Sequence, residues 1–107
     1  MNRLVIAGAG GFGREINAAV EASPNFRARH RISEVVFIDD TFDRPYLNSP
    51  IVSSIRDFEP APNDLGVCAI GSGTSRRSVT NVLELRGLRF AQFVDDSARV
   101  GSSVEMA

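Results

Sequence analysis

The sequence predicts an α/β domain in which helices flank a parallel β-sheet. Three short apolar runs, at residues 4–7, 35–38 and 67–70, are each followed by glycine or acidic residues. Such runs are typical of parallel strands, which are buried on both faces. Stretches with the apolar spacing of an amphipathic helix follow the first and third runs. Alternation of strands and helices is the pattern of a parallel sheet with helices packed on it.

The composition predicts one globular domain. The chain has 107 residues, of which 43% are hydrophobic and 23% charged, and its net charge is −1. This content excludes two full domains and intrinsic disorder, and the balanced charge predicts neither nucleic acid nor an anionic membrane as a partner. No run reaches the roughly 18 apolar residues of a membrane span, and the single cysteine cannot form an internal disulfide. We expect a cytoplasmic protein.

The first forty residues predict a β-α-β unit. The apolar positions of the first helix share one face and end before Ser23; they are Phe12, Ile16, Ala19 and Val20. The next segment, 25–33, is rich in arginine and has no apolar period, so we expect an exposed connection with a solvated His30. Residues 35–38 then form a strand parallel to the first, through a right-handed crossover.

The middle of the chain has few patterns that predict secondary structure. Residues 41–64 contain four of the five prolines, and the residues there that look able to pack are Ile51, Val52, Ile55 and Phe58. Residues 67–70 form a third strand with Cys68 as a buried thiol.

A second helix is predicted after the third strand. Its apolar positions are Val79, Val82 and Leu83, and it ends at Gly87 in a left-handed conformation, with Leu88 as the hydrophobic contact that follows. A fourth strand is then expected around Phe90, Phe93 and Val94.

The sequence pattern changes at residue 94, where a six-residue repeat begins. Residues 94–99 and 100–105 align as two six-residue units, and Met106 opens a third. This period predicts the first rung of a parallel β-helix, although a frayed edge strand is an alternative. We therefore predict two domains, at residues 1–93 and 94–107.

The first glycine-rich turn predicts an anion site. Residues 8–13 match the pattern G-x-G-x-x-G between a buried strand and a helix, with Gly8, Gly10 and Gly13 at the patterned positions and Gly11 in addition. Glycines allow a phosphate to approach the backbone, and a helix N-terminus supplies unpaired N–H groups. The alternative is a tight turn that needs positive φ at Gly10 and Gly11.

Two further turns are expected at the same edge of the sheet. Asp39 and Asp40 end the second strand, where a carboxylate can bind a ribose diol or a base edge; the alternative is an ordinary turn. The spacing of 26 residues from Gly13 to Asp39 exceeds the roughly 20 of a typical dinucleotide motif.

The third strand is followed by the second glycine-rich turn, which consists of Gly71, Ser72, Gly73 and Thr74. Arg76 and Arg77 follow in the first turn of a helix, where a positive charge interacts unfavourably with the helix dipole. We therefore expect a negatively charged partner there, either a ligand phosphate or one of the two aspartates. Together the three turns predict a pocket for a nucleotide or a nucleotide-sugar. No spacing of metal ligands is present.

The order of these motifs resembles the sugar O- and N-acetyltransferases of the sialic acid and bacillosamine type, which act in bacterial glycan biosynthesis. Members open with G-A-G-G-x-G, continue with [FIL]-x-D-D and A-I-G-x-x-x-x-R, and pass into the hexapeptide repeats of a left-handed β-helix. The corresponding segments here are residues 8–13, 37–40, 69–76 and 94–106.

The resemblance implies a Rossmann-like domain that binds a nucleotide-sugar acceptor, typically UDP-linked. Acetyl-CoA would be the co-substrate of the full-length enzyme, bound between the β-helices of a homotrimer. The diphosphate and sugar would lie at the first glycine-rich turn, the uridine at the two aspartates and the remainder at the second glycine-rich turn. The predicted substrate-binding set is Gly8, Gly10, Gly11, Phe12, Gly13, Asp39, Asp40, Gly71, Ser72, Thr74 and Arg76.

Two departures from the family limit what the resemblance implies. The family's His-Pro-Ser-Ala element is replaced by residues 95–98, which read Asp-Asp-Ser-Ala. Its general-base histidine lies in the β-helix, which this sequence only begins, so we expect a truncated chain without catalytic residues or a bound cofactor. Two alternatives remain: the NAD(P)-binding domain of an oxidoreductase, and a structural piece that binds no ligand.

Overall fold

The computed structural model describes residues 1–40 and 49–91, which form a five-stranded parallel sheet and three helices. The strands are β1 (Asn2–Ala7), β2 (Ile32–Ile38), β3 (Ile51–Ser53), β4 (Asp64–Cys68) and β5 (Arg89–Phe90). The helices are α1 (Gly11–Glu21), α2 (Pro24–Arg29) and α3 (Gly73–Leu85). The predicted α/β class is confirmed; the predicted β-helix rung at 94–107, with Phe93, lies outside the described residues.

The strand order is β3-β2-β1-β4-β5. From the central β1 the chain proceeds outward through β2 and β3, then returns to the other side of β1 for β4 and β5. The strand order therefore reverses between β1 and β4. In open parallel sheets, a crevice forms at the carboxyl ends of the strands at this point, and ligands bind there.

The core has one layer on each face of the sheet. Alternate residues of β1 enter different layers, with Leu4 and Ile6 on one face and Val5 and Ala7 on the other. The first layer packs on α1 and α2, and the second packs on α3. Helices on both faces explain why the strands read as continuous apolar runs.

The predicted helices α1 and α3 are confirmed, with one wrong position. Ile16 and Val20 of α1 are buried, as is Leu83 of α3. Val82 was predicted to pack as well, but its side chain is 42% exposed because the inward face of α3 is formed around Leu83 and Val79.

The segment 25–33 is not the exposed connection that the sequence predicts. It contains most of α2 and the start of β2, and Phe26 is buried in the first core layer. The His30 ring is half-buried against Phe26, with 4.7 Å between ring centroids, so the prediction of a solvated histidine was wrong. Burial and the nearby charge of Arg29 lower the pKa of His30.

Arg27 is also not a simply solvated residue. Its Nε donates a hydrogen bond of 3.1 Å to the carbonyl of Val20, and its Nη2 donates one of 3.0 Å to the carbonyl of Glu21. These carbonyls lie in the last turn of α1, where backbone acceptors have no partner within the helix. Arg27 therefore caps the C-terminus of α1.

The proline-rich middle contributes an edge strand that the sequence did not define. β3 pairs with β2, and Phe58 is buried in the second core layer while Val52 is 45% exposed. The next strand, β4, begins at Asp64, three residues before the apolar run that predicted it.

The end of α3 is as predicted. Gly87 has a φ of 100°, and its N–H donates to the carbonyl of Glu84. The N–H of Leu88 donates to the carbonyl of Leu83, and Leu88 is buried. This pair of hydrogen bonds is the Schellman motif, in which glycine accepts the left-handed conformation without strain.

Candidate functional site

The three predicted turns lie together at the carboxyl edge of the sheet. The first glycine-rich turn follows β1, the aspartates follow β2, and the second glycine-rich turn follows β4. Backbone hydrogen bonds hold the ends of the strands side by side, because the N–H of Gly8 donates to the carbonyl of Ile38 and the N–H of Ala69 donates to the carbonyl of Ala7. These turns therefore lie at the crevice where the strand order reverses.

Two glycines of the first turn are required by packing. Gly8 has a φ of 109°, and a Cβ there would lie 3.0 Å from the carbonyl oxygen of Ala69. A Cβ on Gly13 would overlap the carbonyl oxygen of Gly8 and lie 3.3 Å from the ring of Phe37. Gly8 thus brings the first turn against the chain at the end of β4, and Gly13 brings α1 against the sheet.

The other glycines of the two turns have no such packing role. A Cβ on Gly10, Gly71 or Gly73 would meet no atom of the described chain within 4 Å. A Cβ on Gly11 would have only the end of the Arg14 side chain, at 3.9 Å. Gly10 has a φ of −76°, so the alternative of positive φ at this position is wrong. Four glycines therefore leave open space at the shared edge.

The two helices that start at this edge differ in capping. In α3, the hydroxyl of Ser72 accepts a hydrogen bond of 3.4 Å from the N–H of Ser75. Gly10, the N-cap of α1, has no side chain and therefore supplies no side-chain cap to this helix. The first N–H groups of an uncapped helix are suited to an anionic ligand. Gly11 is exposed and Phe12 is half-buried at this helix start.

Both aspartates bind backbone N–H groups. Asp39 is half-buried, and its Oδ2 accepts a hydrogen bond of 2.7 Å from the N–H of Ala9. The exposed Asp40 accepts one of 3.0 Å from the N–H of Ile55, in the loop after β3. Asp39 thus fixes the first glycine-rich turn, and Asp40 fixes the neighbouring loop.

The arginines at the start of α3 do not pair with these aspartates. Within 1–40 and 49–91, the ion pair formed is that of Arg3 with Asp64, and it lies at the opposite edge of the sheet. Arg76 is half-buried and Arg77 is exposed. Of the two partners predicted for Arg76, a carboxylate of Asp39 or Asp40 is therefore excluded.

Two grooves run along α3. The first, here the α3 groove, has a volume of about 300 Å³ and is lined by Gly73, Arg76, Arg77, Thr80, Asn81 and Glu84. The second, here the Asp40 groove, has a volume of about 260 Å³. It lies between the loop after β3 and the other flank of α3, and its lining residues are Asp40, Ile55, Arg56, Ser78, Val79, Val82 and Arg86.

The Asp40 groove has an apolar floor between charged ends. Ile55, Val79 and Val82 supply the apolar surface. Arg86 holds the loop in place, because its Nη1 donates hydrogen bonds of 3.1 Å to the carbonyl of Ile55 and 3.2 Å to that of Phe58. This groove is not predicted from the sequence, because its lining residues come from segments that are far apart in the chain.

The structure thus brings together most of the predicted site. The glycines, Phe12 and the two aspartates surround the crevice, with Ser72 as the N-cap of α3 and Thr74 exposed in its first turn. Arg76 lies in the α3 groove. Among the residues described, no three histidine, cysteine or acidic side chains lie together as metal ligands would. No helix in the same residues has the length and apolar character to cross a membrane.

These features define a parallel α/β domain with two glycine-rich turns at its topological switch point. Residues 3–83 match the family model of the PglD N-terminal domain. The chain therefore belongs to this family, the N-terminal domain of PglD-type sugar acetyltransferases, which confirms the resemblance found in the sequence. Neither a curated protein nor a solved structure matches the chain significantly.

Proposed function

We propose that this domain binds a nucleotide-sugar, UDP-linked, as the acceptor of an acetyltransferase in glycan biosynthesis. The observation that carries the proposal is the open space at Gly10 and Gly11, beside the uncapped start of α1. Glycine is not required there by packing within the described chain, and a diphosphate needs both the space and the N–H groups.

The Asp40 groove extends the proposed site away from the glycines. Asp40 follows Asp39, which is hydrogen-bonded to the first glycine-rich turn, so the groove starts next to the proposed diphosphate position. Its apolar floor suits the face of a flat base, and the Asp40 carboxylate suits the hydroxyl or N–H donors of a nucleoside. The uridine would therefore lie along this groove.

The second glycine-rich turn would face the rest of the ligand. Gly71 and Gly73 leave space there as well, and Thr74 offers an exposed hydroxyl. Acetyl-CoA, a β-helix beyond residue 93 and a trimeric assembly belong to the proposal for the whole enzyme.

The test is a calorimetric titration of the chain with UDP, a UDP-linked amino sugar and NADH. We expect saturable heat with both uridine ligands and none with NADH. Gly11→Val fills the open space at the start of α1 and is expected to weaken UDP binding more than tenfold. The matched control is Ala18→Val, which adds the same branched side chain on the exposed face of the same helix.

Three results would contradict the proposal. Binding of NADH alone would support a nicotinamide-dependent domain. The absence of heat with all three ligands would remove ligand binding from this domain. Equal UDP affinities in Gly11→Val and Ala18→Val would move the ligand away from α1.

A further inference from the structure

Arg86 connects the end of α3 to the loop after β3. It is the C-cap of α3, and its backbone N–H donates to two carbonyls in the last turn of that helix. From this position its Nη1 donates to the carbonyls of Ile55 and Phe58. The Phe58 side chain is buried in the core, so its carbonyl is a fixed acceptor. Arg86 therefore ties Ile55 to parts of the fold that are already in place.

Ile55 is also held from its other side. Its N–H donates a hydrogen bond of 3.0 Å to Oδ1 of Asp40. A chain of hydrogen bonds thus runs from Arg86 through the backbone of Ile55 to the Asp40 carboxylate, and all three residues line the Asp40 groove. Among the described residues, Arg86 and Asp40 form no ion pair with each other. The connection between the two charged groups is therefore the backbone of Ile55.

The bond from Ile55 orients the Asp40 carboxylate. Asp40 is exposed, and an exposed side chain without such a bond exchanges rapidly between rotamers. With Oδ1 occupied, Oδ2 forms no hydrogen bond with the described residues and is left to accept one from a ligand. A side chain that is ordered before binding loses less conformational entropy when the ligand arrives. The orientation of this carboxylate therefore contributes to affinity.

We propose that Arg86 is a positioning residue for the nucleoside end of the ligand. Through Ile55 it keeps the Asp40 carboxylate in the orientation that accepts a hydrogen bond from a nucleoside hydroxyl or N–H group. Arg86 itself needs no contact with the ligand. The inference rests on the proposed nucleotide-sugar function and adds a residue from the far end of α3 to that site.

The test is a calorimetric titration with UDP of the unchanged chain, Arg86→Met, Asp40→Ala and the double variant. We expect Arg86→Met to raise the Kd about fivefold, because one side chain must now be ordered on binding. Asp40→Ala should raise it more than about tenfold, since the acceptor itself is lost. In the double variant the Kd should stay within about twofold of that of Asp40→Ala, because a residue that acts through Asp40 has no effect without it.

A measurement without ligand supports the titration. Hydrogen exchange of the Ile55 amide, followed by NMR, should be at least about threefold faster in Arg86→Met, because the bond to Asp40 opens more often. Arg86→Lys keeps the charge but replaces the rigid donor group with a flexible one, so it should recover part of the UDP affinity.

The matched control is Arg89→Met, which removes an exposed positive charge on β5, outside both grooves. Its Kd for UDP and its Ile55 exchange rate should stay within about twofold of the unchanged chain. An equal loss of affinity in Arg89→Met and Arg86→Met would assign the effect to net charge and would overturn the inference.

Two further results would overturn it. The first is a Kd in Arg86→Met equal to that of the unchanged chain. The second is the same fold-change from Arg86→Met with and without the Asp40 carboxylate, because Arg86 would then act independently of it. In both cases the unchanged chain still binds UDP and the proposed function stands. If the unchanged chain does not bind UDP, the proposed function fails and this inference fails with it, so the two failures can be distinguished.

Discussion

The carboxylate of Asp39 accepts a hydrogen bond of 2.7 Å from the backbone N–H of Ala9, which lies between two glycines of the first turn. The bond crosses from the end of β2 to the turn after β1. The Asp39 carboxylate therefore stabilises the conformation of the first glycine-rich turn. The open space at this turn is the proposed diphosphate position, so Asp39 has a structural role in addition to any contact with a nucleoside.

We predict that Asp39→Ala destabilises the fold by about 2 kcal/mol, because a hydrogen bond to a charged acceptor is lost at a half-buried position. Asp39→Asn keeps an acceptor oxygen and should retain more of the stability. Asp40→Ala removes a bond to an exposed loop and should cost less than about 1 kcal/mol. Urea unfolding gives the three values, and equal losses in Asp39→Ala and Asp40→Ala would contradict the assignment.

The glycines of the first turn should separate into two groups when each is changed to alanine. Gly13→Ala places a methyl group on the carbonyl oxygen of Gly8 and should destabilise the fold by at least about 2 kcal/mol. Gly11→Ala meets no close atom and replaces glycine in a helix, where alanine is favoured. This variant should therefore be more stable than the unchanged chain by up to about 1 kcal/mol. Thermal unfolding of both variants tests this difference, and a similar loss in each would show that both glycines serve packing.

The sequence predicted the elements that have a recognisable apolar pattern. β1 contains a continuous apolar run, and α1 and α3 have apolar residues at helical spacing. The left-handed Gly87 was predictable because glycine is typical of that position after a helix. By contrast, α2 has six residues and one buried side chain, Phe26, so no period could reveal it. β3 has three residues in an edge position, with only partial burial.

The candidate site shows the same division. The turns were predictable because each follows an apolar run, and parallel strands bring their carboxyl ends to one edge. The Asp40 groove was not predictable, since Ile55 and Val79 meet only through tertiary packing. The sequence also could not show that Gly8 and Gly13 are required by packing whereas the other four glycines of the two turns are not. That difference depends on which atoms lie near each Cβ position.

The pair formed by Arg3 and Asp64 should make stability depend on pH. Arg3 donates two hydrogen bonds of 2.8 Å to the carboxylate, whose side chain is 1% exposed. Burial raises the pKa of Asp64, but the hydrogen bonds from Arg3 and from the N–H of Ala61 outweigh it, so this pKa lies below its ordinary value of 3.8.

A lowered pKa in the folded state means that the unfolded chain binds the proton more tightly. The stabilisation by this pair is therefore complete well above pH 4 and is lost as the pH falls from about 4 through the lower folded value. Asp64→Asn should cost about 3 kcal/mol at pH 7, and this cost should decrease as the pH falls below about 4. Urea unfolding of both chains from pH 7 to pH 2 measures the difference, and a constant difference would exclude this carboxylate as the titrating group.

Arg27 should stabilise α1 although it lies in a different helix. Its two hydrogen bonds reach carbonyls of Val20 and Glu21, and its positive charge lies at the negative end of the α1 dipole. Arg27→Met keeps the apolar part of the side chain and removes both effects, so we expect a loss of about 1 kcal/mol and faster hydrogen exchange in the last turn of α1. Arg29→Met, an exposed position in the same helix, should change stability by less than about 0.5 kcal/mol. If the two variants lose the same stability, the general charge of α2 is responsible and the cap is not, because the side-chain hydrogen bonds to Val20 and Glu21 come from Arg27 and not from Arg29.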